Sequence, residues 1–407
     1  MPMQRDVHNK INRNEVVDFL SDLIKIPSEN FRPDRTRGGE GEICRFIKET
    51  FEDIGFDVIE TQETSFPGIF NVIGRIKGEG NGPSLLLNGH MDTVPAQGMP
   101  HAFMPRLIDG KLFGRGACDM KGGLAAMIIA CKCLIDSNID LHGDLIMSAV
   151  VDEEVTHEGI ATMIKCGAMA DYAIVGEPTN LEIYYASKGR AEFQLETHGK
   201  ASHCTSPELG INAIVKMAKI ISTLDLLLTK RLCEKRHPEF GAPTFTIVNI
   251  HGGGPVTLST VPDHCRIEID RRLIPGETYD DASREIYEIL QKLKIDDPQL
   301  EFGLKLTDEV LRYPRLPFST PKNSKIVTAL SDAYRNVIGE EPNLTVGSFY
   351  GDAESLRNRL GIPTVYFGPS SSPPSSHSDN EHVSIDQVVA ASKIFVLAAM
   401  RICEAYV

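Results

Sequence analysis

The sequence predicts an α/β domain interrupted by a smaller α+β unit. Three observations lead there. Strand-length apolar runs alternate with helix-period segments over the first part of the chain. At about Lys188 the texture changes to alternating strands mixed with amphipathic helices, and after Pro314 the first texture returns. At 407 residues the chain is also too long for one ordinary core. The expected boundaries are 1–187 and 309–407 for the two parts of the larger domain, and 188–308 for the insert.

Each element has its own signal. Helical spacing runs over 14–26 and 41–55; in the second, Ile43, Phe46, Ile47, Phe51 and Ile54 fall near one face. Apolar runs at 70–76, 84–88, 144–151 and 172–175 are bounded by Gly, Pro or Asp, as buried strands are. Segment 121–135 opens with two glycines and reads as helix. In the insert, 190–197, 244–250 and 265–273 alternate like half-buried strands, and 212–228 and 279–293 are helical. The last stretch predicts helix over 324–338, strand over 364–367 and helix over 385–405. The serine- and proline-rich run 370–376 is a loop.

Composition narrows the function classes. Hydrophobic residues make up 42% and charged residues 24%, which describes a globular chain and excludes a disordered one. Lys and Arg total 42 against 56 Asp and Glu, for a formal charge of -14. A chain this acidic repels nucleic acid and anionic membrane, and no basic stripe offsets the repulsion. The longest clean apolar run, 124–131, is far short of a bilayer span, and the N-terminal stretch lacks a signal-peptide core. Nine cysteines without paired metal spacing argue against a disulfide framework, so a cytoplasmic location is expected.

The acids and histidines fall at informative places. Strand 84–88 runs into Gly89-His90-Met91-Asp92, strand 144–151 into Asp152-Glu153-Glu154, and strand 172–175 into Gly176-Glu177-Pro178. Asp119 stands just before the helix at 121. In an open α/β sheet, ligands bind at the carboxyl ends of the strands. Singly, each residue has an ordinary explanation: a strand-end histidine, a helix cap, a solvated acid pair, a turn. All four would have to hold together at one edge of one sheet. A metal site is the simpler account.

These motifs carry a resemblance. GHMDTVP, GRGACDMKGG, DEE, GEPT, ASHCTSPELGINAI, DRRLIPGE and SSHSDNEHV stand in order along essentially the whole chain. Together they resemble the metallohydrolases of acetylornithine deacetylase and succinyl-diaminopimelate desuccinylase, a family that also includes aminoacylase and carboxypeptidase G. The resemblance implies a mixed-sheet, zinc-peptidase-like catalytic domain with an inserted ferredoxin-like lid and dimerisation domain.

It also implies a centre of two divalent ions, zinc or else cobalt or manganese. Asp119 would bridge them, with His90 and Glu177 on one and Glu154 and His377 on the other. Carboxylates with imidazole suit those metals. By the same resemblance Asp92 orients His90, Glu153 is the general base, and the Asp119–Met120 peptide is cis. His203 would reach the partner subunit's site and stabilise the oxyanion, and Arg272 would grip a substrate carboxylate. A planar guanidinium suits that pairing.

Two positions depart from the family pattern. Thr260 stands where many relatives have Asn, and its shorter hydroxyl puts carboxylate or amide recognition by that position in doubt; Cys204 stands where a small hydroxyl residue or Gly is common. The expected function is a cytoplasmic, homodimeric amidohydrolase acting on a small N-acyl amino acid, such as an N-acetyl or N-succinyl diamino acid. A dipeptidase or carboxypeptidase with the same centre is the alternative. A non-catalytic metal-binding scaffold is a third reading, and the filled Glu153 position argues against it.

Overall fold

The computed structural model describes residues 6–30, 39–167, 169–253 and 259–405. The chain forms two compact units. The first comprises Met1–Ala186, Ser319–Thr345 and Gly351–Val407; the second comprises Ser187–Phe318 and Val346–Tyr350.

The first unit is built on a mixed sheet. Its centre is four parallel strands in the order Leu145–Val150, Leu85–His90, Tyr172–Val175 and Thr364–Tyr366. Two antiparallel strands, Phe70–Ile76 and then Val58–Glu63, extend it beyond Leu145–Val150. On the other side Tyr366 pairs antiparallel with Tyr184. Strands Leu85–His90 and Leu145–Val150 are buried at every position, which is why both read as continuous apolar runs rather than alternating ones.

Helix Gly122–Asp136 packs against these two strands and against helices Ile385–Ile402 and Arg13–Lys25. Covered from several sides, it is apolar nearly all round. Each fully buried Leu or Ile there contributes about 1.5–3 kcal/mol. Gly123 permits the close packing, since a Cβ there would lie 1.9 Å from the Gly176 carbonyl oxygen. The helix start is thereby seated on the turn that carries Glu177.

The second unit has the chain order βαββαβ. Strands Thr244–Gly252, His264–Leu273, Gly189–His198 and Glu301–Leu306 lie side by side in that order, all antiparallel. Helices Ala213–Glu234 and Tyr279–Asp296 contribute to a core with Phe193, Leu195, Ile267 and Ile269. This is a ferredoxin-like arrangement. Strand Gly189–His198 alternates buried and half-buried residues as far as Thr197 and ends on the exposed His198, as a one-sided sheet requires. Residues as far as Phe318 belong here because Arg315 bonds Glu192 at 3.0 Å and Glu309 at 2.8 Å, with its guanidinium 4.3 Å from the Tyr350 ring.

Among the described residues no helix is long and apolar enough to cross a membrane. The nine cysteines are all free thiols.

Candidate active site

The parallel strands of the first unit deliver acids and imidazoles to one end of the sheet. His90 is the last residue of Leu85–His90, and in the register it faces Val150, so Asp152, Glu153 and Glu154 emerge beside it. Strand Tyr172–Val175 leads to Glu177 two residues on. Asp119 lies in the irregular turn before helix Gly122–Asp136, and the Asp119–Met120 peptide is cis. His377 has a left-handed backbone, φ 61°, in the loop before strand His382–Ser384.

Asp119 sits between two imidazoles. Its Oδ1 is 3.2 Å from His90 Nε2, and its Oδ2 is 3.3 Å from His377 Nε2. His90 Nε2 is also 3.9 Å from Glu177 Oε1, and His377 Nε2 is 3.0 Å from Glu154 Oε1. Two three-residue groups result, His90–Asp119–Glu177 and Asp119–Glu154–His377, each with ligand atoms within 4.8 Å of one another. Asp119 belongs to both.

Buried Asp92 organises the neighbourhood. The Nδ1 of His90 lies 2.9 Å from the Asp92 backbone carbonyl and 3.4 Å from its carboxylate, so the backbone oxygen is the nearer partner. The carboxylate accepts from the backbone N–H groups of Glu153 at 3.0 Å and Glu154 at 3.1 Å, and from Asn30 Nδ2 at 3.3 Å. Burial opposes its ionisation, but the His90 hydrogen bond and these amides win and hold its pKa low.

The other acids behave differently. Burial pushes the pKa of Glu153, Glu154 and Glu177 up, and neighbouring carboxylates push in the same direction. His377 is raised to about 10 by its hydrogen bonds to Asp119 and Glu154. The cluster has too much negative charge for the cations it contains. Carboxylate oxygens and imidazole nitrogens short of positive charge are a donor set that divalent zinc, cobalt or manganese fits.

Four residues without an assigned role in the motifs also belong to this end of the sheet. Glu381 accepts from the backbone N–H groups of Gly116, Cys118 and Asp119, each at 3.0 Å, and pairs with Arg115 at 2.5 Å. It therefore sets the backbone that presents Asp119, and it stands inside the SSHSDNEHV run. Asn30 links Asp92 to Asp152, reaching the latter at 2.5 Å. His157 Nδ1 lies 3.6 Å from Glu153 Oε1 and 3.7 Å from Asp352 Oδ1. Asp352 is held by Asn88 Nδ2 at 2.8 Å. No local pattern marks His157 or Asp352, because only tertiary folding brings them to Glu153.

His203 and Arg272 lie in the second unit. His203 is exposed, its Nδ1 2.8 Å from Thr205 Oγ1, and its backbone pairs with that of Thr260. The exposed Cys204 donates its backbone N–H to the Ser259 carbonyl at 2.8 Å. Arg272 is gripped by Asp270, with Nε to Oδ1 at 2.8 Å, and points Nη1 toward the Ser348 carbonyl at 3.4 Å.

The pattern that defines peptidase family M20/M25/M40 matches residues 86–401. The chain belongs to this family. Like its relatives, this M20 protein is a metal-dependent hydrolase acting on amide bonds. It is 30% identical over 411 residues to N-formyl-4-amino-5-aminomethyl-2-methylpyrimidine deformylase of Bacillus subtilis, covering 95% of this chain and 94% of that protein. It is 29% identical over 393 residues to acetylornithine deacetylase of Myxococcus xanthus, covering 94% and 96%. The crystal structure of aminopeptidase PepT from Bacillus cereus shares the fold, with a TM-score of 0.77 at 23% identity, covering 96% and 99%.

Proposed function

We propose that this M20 protein removes the acyl group from an N-acylated amino acid, using a centre of two divalent ions, zinc foremost. The observation that carries the two-ion reading is Asp119, whose two oxygens face different imidazoles, each flanked by its own glutamate. His90, Asp119 and Glu177 would hold one ion, and Asp119, Glu154 and His377 the other. The acyl-amide reading is supported by relatives at about 30% identity that are named a deformylase and a deacetylase.

The ions, when bound, supply Lewis acidity that polarises the scissile carbonyl and eases deprotonation of water. Glu153 takes the proton from the attacking water as the C–O bond forms. As the C–N bond breaks it returns that proton to the departing amine, leaving a free carboxylic acid and a free amino group. Burial and neighbouring acids raise its pKa, which favours its holding the proton between the two transfers. Asp92 fixes the His90 ring, Arg272 binds the substrate carboxylate, and His203 serves the oxyanion in the partner chain.

A homodimer through the second unit is part of this reading. Strand Thr244–Gly252 is the sheet edge, with Val248 and Ile250 exposed, and helix Ala213–Glu234 exposes Leu226 and Leu227. Such an edge invites pairing with a second copy. Nine free thiols support a cytoplasmic setting.

The test is a panel assay of metal-reconstituted full-length protein against N-formyl, N-acetyl and N-succinyl amino acids and against dipeptides. Turnover of acylated amino acids is expected. Exclusive dipeptide cleavage would replace this reading with a dipeptidase or carboxypeptidase.

A further inference from the structure

The outer face of the ferredoxin-like sheet carries another cluster of side chains of metal-ligating type. His198 ends strand Gly189–His198 and His264 begins strand His264–Leu273; the two are direct cross-strand partners. Their rings are 5.6 Å apart, centroid to centroid. Glu196 lies two residues before His198, hence on the same face of the sheet. Its Oε2 is 3.8 Å from His198 Nε2 and 3.7 Å from His264 Nε2. The three donor atoms all lie within 4.8 Å of one another.

Several features leave this group open to an ion. The imidazoles are about half exposed, 52% and 50%, so water can complete a coordination sphere. On the adjoining strand, Gly303 stands opposite Glu196, and a Cβ there would meet only His198 Nε2, at 3.9 Å. The missing side chain leaves room beside that nitrogen. Arg266, opposite Glu196 on the other side, sends its guanidinium to Glu268 at 3.4 Å. Two imidazoles and one carboxylate suit a borderline cation better than calcium or magnesium, which prefer all-oxygen sets.

We propose that Glu196, His198 and His264 bind one borderline divalent cation, Zn²⁺, Ni²⁺ or Cu²⁺, across the end of the strand pair. The ion would cross-link the two strands where both leave the sheet. Just beyond, the Gly199 N–H bonds the Asp263 carbonyl at 2.7 Å, and His203 pairs with Thr260. A cation here therefore clamps the base of the loop that presents His203. Binding itself does not depend on the role proposed for His203; only its effect on catalysis does.

The experiment is metal stoichiometry on the full-length protein. Wild type and a His198→Ala/His264→Ala variant are dialysed against equal free Zn²⁺, and again against Cu²⁺, which the usual affinity order makes the tightest probe. Bound metal is counted per chain. Loss of one equivalent in the variant is expected, together with loss of the nitrogen couplings of that ion in the Cu²⁺ electron paramagnetic resonance spectrum. Equal stoichiometry and unchanged spectra would overturn the proposal. Because the comparison is a difference, it reads this site even if the centre around Asp119 holds fewer than two ions. Circular dichroism of the variant establishes its fold; if that double variant is misfolded, the milder His264→Gln variant decides by the same two readings.

Discussion

Asp92 Oδ1 accepts a hydrogen bond from the backbone N–H of Glu153 at 3.0 Å, so one buried carboxylate holds the residue proposed as general base. Its other oxygen takes the N–H of Glu154, and its own carbonyl faces His90. One residue thus ties together three strand-end residues, two through its carboxylate and one through its backbone carbonyl.

Replacing Asp92 by Asn turns one acceptor into a donor facing a backbone N–H. Hydrogen bonds to a charged acceptor contribute about 1.5–3 kcal/mol, and a loss in that range is expected in urea unfolding. Metal affinity should fall by about 10–100-fold, the usual effect of disturbing a ligand's support. Unchanged metal affinity would count against the organising role of Asp92.

Glu381→Ala should be worse for stability. The Arg115–Glu381 pair is almost fully buried, and removing one member of such a pair costs about 3–5 kcal/mol. The three backbone N–H groups it serves also lose their acceptor, so the Asp119 turn should loosen and metal content should drop. Chemical denaturation and metal analysis check both effects.

The strand ends were readable in the sequence because buried parallel strands are apolar throughout and their termini stand out when followed by His, Asp or Glu. Leu85–His90 and Leu145–Val150 illustrate this. Strand Glu301–Leu306, which completes the second sheet, carries no such signal. It is an edge strand with alternating exposed and half-buried residues, so no apolar run announces it. His157 and Asp352 were equally silent, since their meaning comes from a contact across 195 positions in sequence. Glu381 lay within a recognised motif, yet its four-donor role depends on where the Asp119 turn folds.

Metal loading should release protons. In the metal-free protein His377 titrates at about 10, and a ligating imidazole must be neutral. Affinity should therefore rise with pH up to about that value. The stability sign is separate: a raised pKa means the pairing with Asp119 and Glu154 stabilises the metal-free fold below pH 6.5 and is lost as pH climbs through about 10. Calorimetric metal titrations in buffers of different ionisation enthalpy measure the release. No buffer dependence at pH 8 would contradict it.

Sharing of the site between subunits is testable by mixing. His203→Ala and Glu153→Ala should each be inactive alone. In a mixed dimer, the chain with intact Glu153 receives His203 from its partner, so one site of two should work. Verified subunit exchange without recovered hydrolysis would place His203 in its own chain's site or outside catalysis.

The most direct test of the account separates Glu153 from Glu154 by measuring bound metal and turnover in Glu153→Ala and Glu154→Ala. Glu153→Ala should keep the wild-type metal content and lose at least about 10²-fold in kcat, the scale of general-base loss. Glu154→Ala should lose metal as well as activity. Equal metal loss in both variants, or a Glu153→Ala protein that still turns over at the wild-type rate, would contradict the assignment.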